Sequence, residues 1–420
     1  MRKRIYMLIA VVLSLSILVP MLGCQPEFLV REPEEPKEVE EVEVVEEVKE
    51  PIRIGAAYAL TGPFAYDAGC QKVAIEIGLK MVNDAGGILG GRPVEIVYRD
   101  HSYIPEEAVT AVRKLIYDDK VDVVIGLEDT ALIWAAAPIM HDAGMPYVEH
   151  GGNPPGWPRV EDVGHFRCGF ALEQLISGLF EWASEVQGVK SMTVVGIDTT
   201  FIRDTYKYIM THYAEEYGIQ LNPIIVYPVG APDFMPQYTK GVAEGADMLW
   251  GTNFFTSELP REIAAIHELG YEGLYVMAPW AAVEEVIAEV AVAAEGAYVP
   301  FVDYAWDPDN AEMVEFVTLY KAETGLVPHH WPVQAWLAFW TVIHGLDEAG
   351  KCPLILEEFD AGVKAAKWTS VLGYPVLWTE YGALVHHTLY IAEIQNGKFV
   401  KVVDQPCDDP WEDVYGKVLD

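Results

Sequence analysis

Aromatic side chains are the largest set of residues in this sequence that could contact a ligand. Their rings offer apolar faces, and Trp adds one N–H donor. Most aromatic residues belong to a core, but those on loops that follow predicted strands are stronger candidates for a pocket. The candidates are Tyr66, Phe201, Phe254, Trp280, Trp306 and Trp331. Trp336 and Trp340 share one predicted helix face, which indicates packing.

A glycine-rich loop supplies a second kind of candidate contact. It reads Gly-Gly-Asn-Pro-Pro-Gly from Gly151 to Gly156 and follows a predicted strand. Because glycine allows close approach of the backbone, N–H groups of this loop can face a cleft. His150, directly before the loop, is a candidate hydrogen-bonding residue in that cleft.

The sequence carries little sign of catalysis, metal binding or phosphate binding. The pairs His329-His330 and His386-His387 lack an i, i+4 partner of the H-E-x-x-H kind, and adjacent side chains point in different directions. The Gly86–Gly91 cluster follows a predicted helix instead of opening one, which indicates a helix stop and not a phosphate loop. No G-x-S-x-G motif is present. We predict no cofactor, no metal and no catalytic residue.

The elements that position these candidates begin with a strand–helix alternation. Ile52–Tyr58, Val94–Tyr98 and Val121–Ile125 read as strands. The apolar spacing between Ala74 and Val82 predicts one helix, and Pro105 opens another. This order predicts a parallel sheet that binds ligands beyond the carboxyl ends of its strands. The loops at those ends are Ala59–Gly69, Asp100–Pro105, Leu127–Thr130 and Glu149–Asn153.

The alternation restarts after Phe166–Gly169 and predicts a second sheet. Predicted strands occur at Ser191–Ile197, Leu221–Tyr227, Met248–Trp250 and Gly273–Met277. Ala281–Ala294 reads as a helix, and Asn396-Gly397 reads as the turn between two closing strands. The predicted fold class is α/β, with two similar doubly wound parallel-sheet lobes. Two such lobes need a ligand site between them, and repeated crossing of the chain would form a hinge.

Composition excludes one class of partner. The formal net charge is −36 over 420 residues. Binding to nucleic acid needs a basic face, so we predict no nucleic-acid partner. The acidity does not identify a ligand, because such charge is usually a solvated surface.

Residues 1–24 have the features of an export signal. Arg2, Lys3 and Arg4 precede an apolar stretch that ends at Gly23-Cys24. The small residue before Cys24 resembles the lipobox of bacterial lipoproteins, which implies a lipid anchor at Cys24 on the outer face of the cell membrane. Ordinary secretion, with a periplasmic protein and Cys24 removed or free, is the alternative.

The next segment is predicted to be a tether. Residues 25–51 hold ten Glu and two Lys between Glu32 and Glu50, and like charges extend such a segment. Too little apolar area is available there to order it.

Four cysteines remain if Cys24 carries lipid. They are Cys70, Cys168, Cys352 and Cys407. Two disulfides and four thiols both remain open, since an exported protein can keep disulfides.

An ordered series of motifs resembles the leucine/isoleucine/valine-binding proteins, which are type I periplasmic solute-binding proteins of ABC transporters. The series covers roughly residues 52–404 and includes Leu60-Thr61-Gly62-Pro63, Asn83–Gly90, Val124-Ile125-Gly126 and Glu268-Leu269-Gly270. The resemblance implies two lobes joined by three crossovers near Cys168, Pro300 and Pro375. It divides the chain into 52–168 plus 300–375 for lobe 1 and 169–299 plus 376–420 for lobe 2.

The resemblance also implies ligand-binding positions. Thr130 falls where the family uses a Ser hydroxyl on the ligand carboxylate. His150, Gly151 and Gly152 fall on the family's second carboxylate loop, so N–H donors are expected there without a Thr hydroxyl. A family Tyr corresponds to Phe201, and another falls near Asn253 or Phe254.

The acidic residue that pairs with a ligand ammonium in the family corresponds to Trp280. Burying an ammonium group without a carboxylate beside it costs several kcal/mol. We therefore expect a small organic solute with a branched or aromatic body, which need not carry a free α-amino group. Substitute carboxylates are available, so an α-amino acid stays open. They are Asp67, Glu128, Asp129 and Glu149.

The resemblance implies a monomeric extracytoplasmic receptor that delivers an amino-acid-like solute to an ABC permease in the membrane, and not an enzyme. A ligand sensor of the same fold that signals to a membrane partner is the alternative.

Overall fold

The computed structural model describes residues 49–152, 157–158, 161–169, 172–303, 305–386, 388–406 and 418–419. The predicted signal peptide with Cys24, most of the predicted tether, Asn153–Gly156, His387 and Cys407 lie outside these residues.

The first sheet is built from the strands of the N-terminal part of the chain. Its strands and helices are β1 (Ile52–Tyr58), α1 (Ala65–Asp84), β2 (Val94–Asp100), α2 (Pro105–Arg113), β3 (Val123–Gly126), α3 (Thr130–Asp142), β4 (Tyr147–Glu149) and β5 (His165–Arg167). The strand order is β2–β1–β3–β4–β5, and every neighbouring pair is parallel. β5 was not predicted as a strand.

The apolar run of β1 explains its central place in this sheet. From Ile54 to Tyr58 every residue is buried, as expected for a strand with helices on both faces of its sheet. At the end of the neighbouring β3, Gly126 has φ +117°, and a Cβ there would lie 2.1 Å from the Ala57 carbonyl oxygen. Only glycine fits this turn, which directs the chain into the loop before α3.

The second sheet follows the same alternation. Its elements are α4 (Leu172–Glu181), β6 (Ser191–Ile197), α5 (Lys207–Glu216), β7 (Gln220–Leu221), β8 (Ile225–Tyr227), α6 (Met235–Ala243), β9 (Met248–Thr252), α7 (Leu259–Glu268), β10 (Leu274–Val276), α8 (Glu284–Glu289), α9 (Ala291–Ala294) and β11 (Tyr298–Phe301). Strands β6, β9, β10 and β11 lie side by side and parallel.

An antiparallel hairpin completes the second sheet. Its strands are β13 (Thr388–Gln395) and β14 (Lys398–Pro406), and β13 pairs with β11. The predicted turn residues Asn396 and Gly397 both have positive φ, 53° and 70°. That conformation matches a two-residue hairpin turn.

Three further helices pack on the first sheet's side of the chain. They are α10 (Ala311–Thr324), α11 (His330–Ala349) and α12 (Leu356–Ala365). α11 packs along α1 and also contacts β3 and β4. The two helices approach closely, since a Cβ at Gly78 would lie 2.7 Å from the Phe339 ring. Two short strands, β12 (Trp378–Thr379) and β15 (Val418–Leu419), pair with each other.

The chain passes between the two sheets at three places. The first passage lies between Arg167, at the end of β5, and Leu172, at the start of α4. The second follows Phe301, because Pro300 itself belongs to β11. The third lies between Ala383, which bridges to Arg167 of the first sheet, and Thr388 at the start of β13.

One predicted helix is wrong. Ala281–Ala294 is a 3₁₀ turn at Pro279–Ala281 followed by the separate helices α8 and α9. Val290, with φ −113° and ψ 26°, interrupts the helical hydrogen bonding between them.

The structure describes three of the four cysteines whose state, thiol or disulfide, the sequence left open. Cys70, Cys168 and Cys352 are free thiols, so the two-disulfide alternative is wrong. Across the described residues, no helix combines the length and the apolar character that crossing a bilayer requires.

Candidate functional site

A small cavity lies where the carboxyl ends of both sheets meet. Its lining comes from the loop after β3, the loop after β4, the loops after β6, β9 and β10, and the first turn of α11. The lining residues are Glu128, Asp129, Thr130, Gly151, Phe201, Phe254, Trp280 and Trp331. Six of the sequence-predicted ligand residues therefore meet in one place, although they come from two sheets and from a helix near residue 330.

The cavity is nearly closed. It leaves about 10 Å³ for the centre of a water-sized molecule, which is room for about one water. An organic solute therefore enters only if the two sheets separate or the aromatic side chains move.

Aromatic rings line the cavity from both sides, since Trp280 follows a strand of the second sheet and Trp331 lies in α11 on the first sheet's side. The Trp280 and Trp331 rings are stacked, 6.3 Å between centroids and 24° between planes. Phe254 packs edge-on against Trp280 at 5.8 Å, and Phe201 lies 6.1 Å from the same indole. The aromatic lining is thus a set of ring faces and edges, suited to apolar, aromatic or cationic groups.

Asn253, a predicted ligand residue, instead positions Trp280. Its carbonyl oxygen accepts a 2.7 Å hydrogen bond from the Trp280 Nε1–H. Its side chain donates to Glu258 Oε2 at 3.1 Å and accepts from the Phe255 N–H at 3.0 Å. Asn253 is fully buried outside the cavity lining, so its contribution is to hold the indole in place.

Carboxylates of the chain itself occupy the backbone donors on the first sheet's side. Glu149 Oε2 accepts from the N–H groups of Gly151 and Gly152 at 2.8 and 3.0 Å. Asp129 caps α3 by accepting from the Ala131 N–H at 2.8 Å. Glu128 Oε1 accepts from the Ala59 N–H at 3.0 Å. The donors predicted for a ligand carboxylate at Gly151 and Gly152 are therefore already in use.

The three buried carboxyl groups differ in the charged groups that lie beside them. Burial raises the pKa of Glu149 to about 8, and the nearby Arg167 guanidinium opposes that rise. Glu128 Oε2 lies 3.1 Å from His101 Nε2. Burial is the largest single effect and disfavours a charged His101, but Glu128, the Ala57 carbonyl and Asp100 together outweigh it, so the pKa of His101 is raised.

Asp129 has no such cation beside it. Burial raises the pKa of Asp129, while the Ala131 N–H and the Tyr103 hydroxyl favour its charged form and Glu128 opposes it. It is 6% exposed and lines the cavity.

Besides Asn253, three predicted ligand residues lie outside the cavity lining. His150 is fully buried and contacts Gln71 Oε1 at 2.9 Å and the Tyr58 hydroxyl at 3.2 Å. Gly152 packs against Ile133, whose Cδ1 would lie 2.1 Å from an added Cβ. Tyr66 is 41% exposed. These positions were assigned from loops, whose side-chain directions the sequence does not fix.

Tyr66 and Asp67 join the two sheets at the edge of the cavity. The Tyr66 hydroxyl donates to Glu285 Oε1 of α8 at 2.6 Å. Asp67, buried in α1, accepts from the Thr256 N–H at 3.2 Å and from its hydroxyl. Burial raises the pKa of Asp67 to about 7. These contacts hold the closed arrangement and must break for the sheets to separate.

The remaining candidates have structural surroundings. Trp306 packs against Phe399 at 4.6 Å, away from the cavity. His330 Nδ1 lies 2.8 Å from Asp303 Oδ2 inside the protein. Within the described part of the chain, no group of His, Cys, Asp and Glu is arranged to hold a metal ion.

Sequence reasoning placed Glu128, Asp129 and Glu149 only as substitute partners for an ammonium. It did not predict that the Glu149 carboxyl group accepts hydrogen bonds from the N–H groups of Gly151 and Gly152. The available signal was position, because Glu149 ends β4 and Glu128 and Asp129 lie in the loop after β3, at the carboxyl ends of the strands.

Two wound sheets whose strand ends meet over one aromatic cavity define the class of hinged solute-binding proteins. Residues 51–398 match a family model described as periplasmic binding protein. The chain belongs to that family.

Solved structures share the fold at low sequence identity. A solute-binding protein of an ABC transporter from R. palustris, in complex with benzoate, is 20% identical, with a TM-score of 0.78 over 87% of this chain and 99% of that one. The leucine-binding protein LivK of Thermotoga maritima is 19% identical, with a TM-score of 0.74 over 84% and 98%. LivJ of Streptococcus pneumoniae, in complex with isoleucine, is 19% identical, with a TM-score of 0.74 over 85% and 99%. No curated protein sequence matches the chain.

Family membership decides the broad function. Proteins of this family are solute-binding receptors and not enzymes, and they act outside the cytoplasm. The chain is therefore an extracytoplasmic solute-binding protein.

Proposed function

We propose that this chain is the solute receptor of an ABC importer and closes two lobes around a small organic solute. The observation that carries the proposal is a cavity at the carboxyl ends of both sheets, lined by polar groups from loops of the first sheet and by aromatic rings from both sides. Similar structures from ABC transporters bind amino acids or aromatic acids. The solute is of amino-acid size, with a branched or aromatic body that the rings can cover.

The mechanism is a shift between open and closed arrangements. A solute that contacts Thr130 on one sheet and Trp280 on the other stabilises the closed form, because it gains contacts there that the open form lacks. The Tyr66–Glu285 and Asp67–Thr256 hydrogen bonds form only when the sheets meet. The closed form is then recognised by the membrane permease.

With bounds taken from the chain passages, lobe 1 comprises residues 52–168 plus 302–383, and lobe 2 comprises 169–301 plus 384–420, because Pro300 lies in β11 and Ala383 bridges to Arg167. The three chain passages between the sheets serve as the hinge. The protein acts as a monomer, tethered by its acidic segment to a lipid on Cys24. Mass spectrometry of the membrane fraction tests the anchor, since a diacylated or triacylated N-terminal Cys24 peptide is expected.

Titration calorimetry on the purified protein tests solute binding. The panel contains amino acids, aromatic acids, amides and amines, and we expect micromolar or tighter binding to at least one class. A protein that binds no member would contradict the receptor function. Uptake into membrane vesicles that contain a permease encoded beside this protein's gene separates import from sensing. A sensor would bind the solute without stimulating uptake.

A further inference from the structure

The charges around the cavity define a solute class more narrowly than the fold does. Two carboxylates, Glu128 and Asp129, line the cavity together with four aromatic rings. Among the described residues, its lining includes no Lys, Arg or His. An anionic solute placed there would face like charges without a counter-ion, which is costly in a buried site.

The donors that would bind an anion are already satisfied. The N–H groups of Gly151 and Gly152 donate to Glu149, the N-terminus of α3 donates to Asp129, and the Ala59 N–H donates to Glu128. A solute carboxylate would have to displace one of these internal carboxylates. The chain thus places its own carboxyl groups where a bound carboxylate is normally stabilised.

The lining offers favourable contacts to a cation instead. The nearly parallel Trp280 and Trp331 rings present their π-faces, and ring faces attract ammonium and quaternary ammonium groups. Asp129 lies in the same lining and has only neutral donors beside it, whereas Glu128 is next to His101. Asp129 is therefore the carboxylate available to balance a solute charge.

The Trp331 indole N–H is a hydrogen-bond donor of the lining. Trp331 Nε1 is buried and has no hydrogen-bond partner among the described residues. A single neutral N–H can orient a hydroxyl or carbonyl oxygen of the solute, but it does not balance a carboxylate.

We propose that the solute is a small organic cation, an amine or quaternary ammonium compound with an apolar body and no carboxylate, held by Asp129 between the Trp280 and Trp331 rings. This inference rests on the proposed receptor function.

Calorimetry with matched probes tests it on the full-length protein. The probes share one body and differ in charge: 2-phenylethylamine, phenylethyltrimethylammonium, 2-phenylethanol and 3-phenylpropionate. We expect at least one of the two cations to bind about 10-fold or more tightly than the carboxylate and the alcohol. Equal or tighter binding of the carboxylate would overturn the inference and leave the receptor function standing. Binding of none of the four, and of nothing in the broader panel, would count against both.

A charge-removing variant tests the role of Asp129. Asp129→Asn keeps a side-chain oxygen that can cap α3 but removes the charge. We expect cation affinity to fall about 10-fold, with alcohol affinity unchanged within about 2-fold. The matched control is Asp142→Asn, the same change at the exposed opposite end of the same helix. Equal losses for cation and alcohol, or no loss for the cation, would overturn the assignment.

Discussion

At the scale of single residues, the site depends on how its aromatic rings are held. Trp280 combines a ring face in the cavity with an N–H that donates to the Asn253 carbonyl. The sequence predicted Trp280 as a ligand residue but not the hydrogen bond that fixes it. Such a bond spans 27 residues of chain, so only the folded sheet brings its partners together.

We expect Trp280→Phe to weaken solute binding about 3- to 30-fold, because it removes the fixed indole and part of its π-face. Calorimetry with the best solute of the panel measures the change. Trp340→Phe on α11 is the matched control, since Trp340 lies outside the cavity lining. Equal effects of both substitutions would contradict the assigned role of Trp280.

At the scale of elements, the turn after β3 sets the direction of the loop that carries Glu128, Asp129 and Thr130. Gly126 has no room for a Cβ beside the Ala57 carbonyl, and Leu127 follows it with a positive φ of 64°. A bulky residue with positive φ stores strain, and such strain is common at functional sites.

Gly126→Ala is expected to destabilise the protein by about 3 kcal/mol or more, because strain and a backbone clash add together. Denaturant unfolding gives the free energy of unfolding. Gly144→Ala is the matched control: it also has positive φ, 63°, but an added Cβ meets nothing within 4 Å. We expect that change to cost about 1 kcal/mol. Similar costs for both would show that the close approach at Gly126 does not matter.

The contact between α1 and the Thr256 turn makes closure depend on pH. Burial raises the pKa of Asp67 to about 7 in the closed form, while an exposed Asp has a pKa near 3.9. The closed form therefore binds the proton more tightly. Its advantage is complete below about pH 4 and declines as the pH rises through about 7.

We expect the closed fraction of the solute-free protein to fall between pH 5 and pH 8, as measured by small-angle scattering. The groups facing Asp67 do not reverse this direction: Thr256 donates to it, Glu128 repels its charge, and burial lowers the pKa of the nearby His329 to about 3, so that it stays neutral. Asp67→Asn should remove the pH dependence. An unchanged profile in that variant would assign it to another group.

At the scale of the whole molecule, acidity is the dominant property. A formal net charge of −36 repels itself within the folded body and within the tether. Salt screens this repulsion over a distance of about 10 Å at 0.1 M.

Raising the salt concentration from about 20 mM to about 300 mM should raise the melting temperature by about 2–5 °C. Differential scanning calorimetry measures the shift. NaCl and KCl should act equally, because screening does not distinguish the two ions. A shift with one salt only would indicate a specific ion site, and a decrease would mean that attractive ion pairs outweigh the repulsion.

The alternation of strands and helices, the carboxyl-end loops and most of the cavity lining could be predicted from the amino-acid sequence. These follow from local patterns: apolar runs give buried strands, and a residue directly after a parallel strand reaches the ligand edge of the sheet. Thr130, Gly151, Phe201, Phe254, Trp280 and Trp331 were found in this way or through family resemblance.

The polar groups that already have a hydrogen-bond partner could be identified only from the folded structure. Glu149 takes the donors of its own loop, Asn253 holds Trp280, and His150 and Gly152 face the interior. Hydrogen-bond partners and side-chain directions depend on contacts between elements distant in sequence, and the energetic cost of burying a charge depends on what surrounds it. The charge preference of the cavity is therefore a property of the fold and cannot be derived from any single segment.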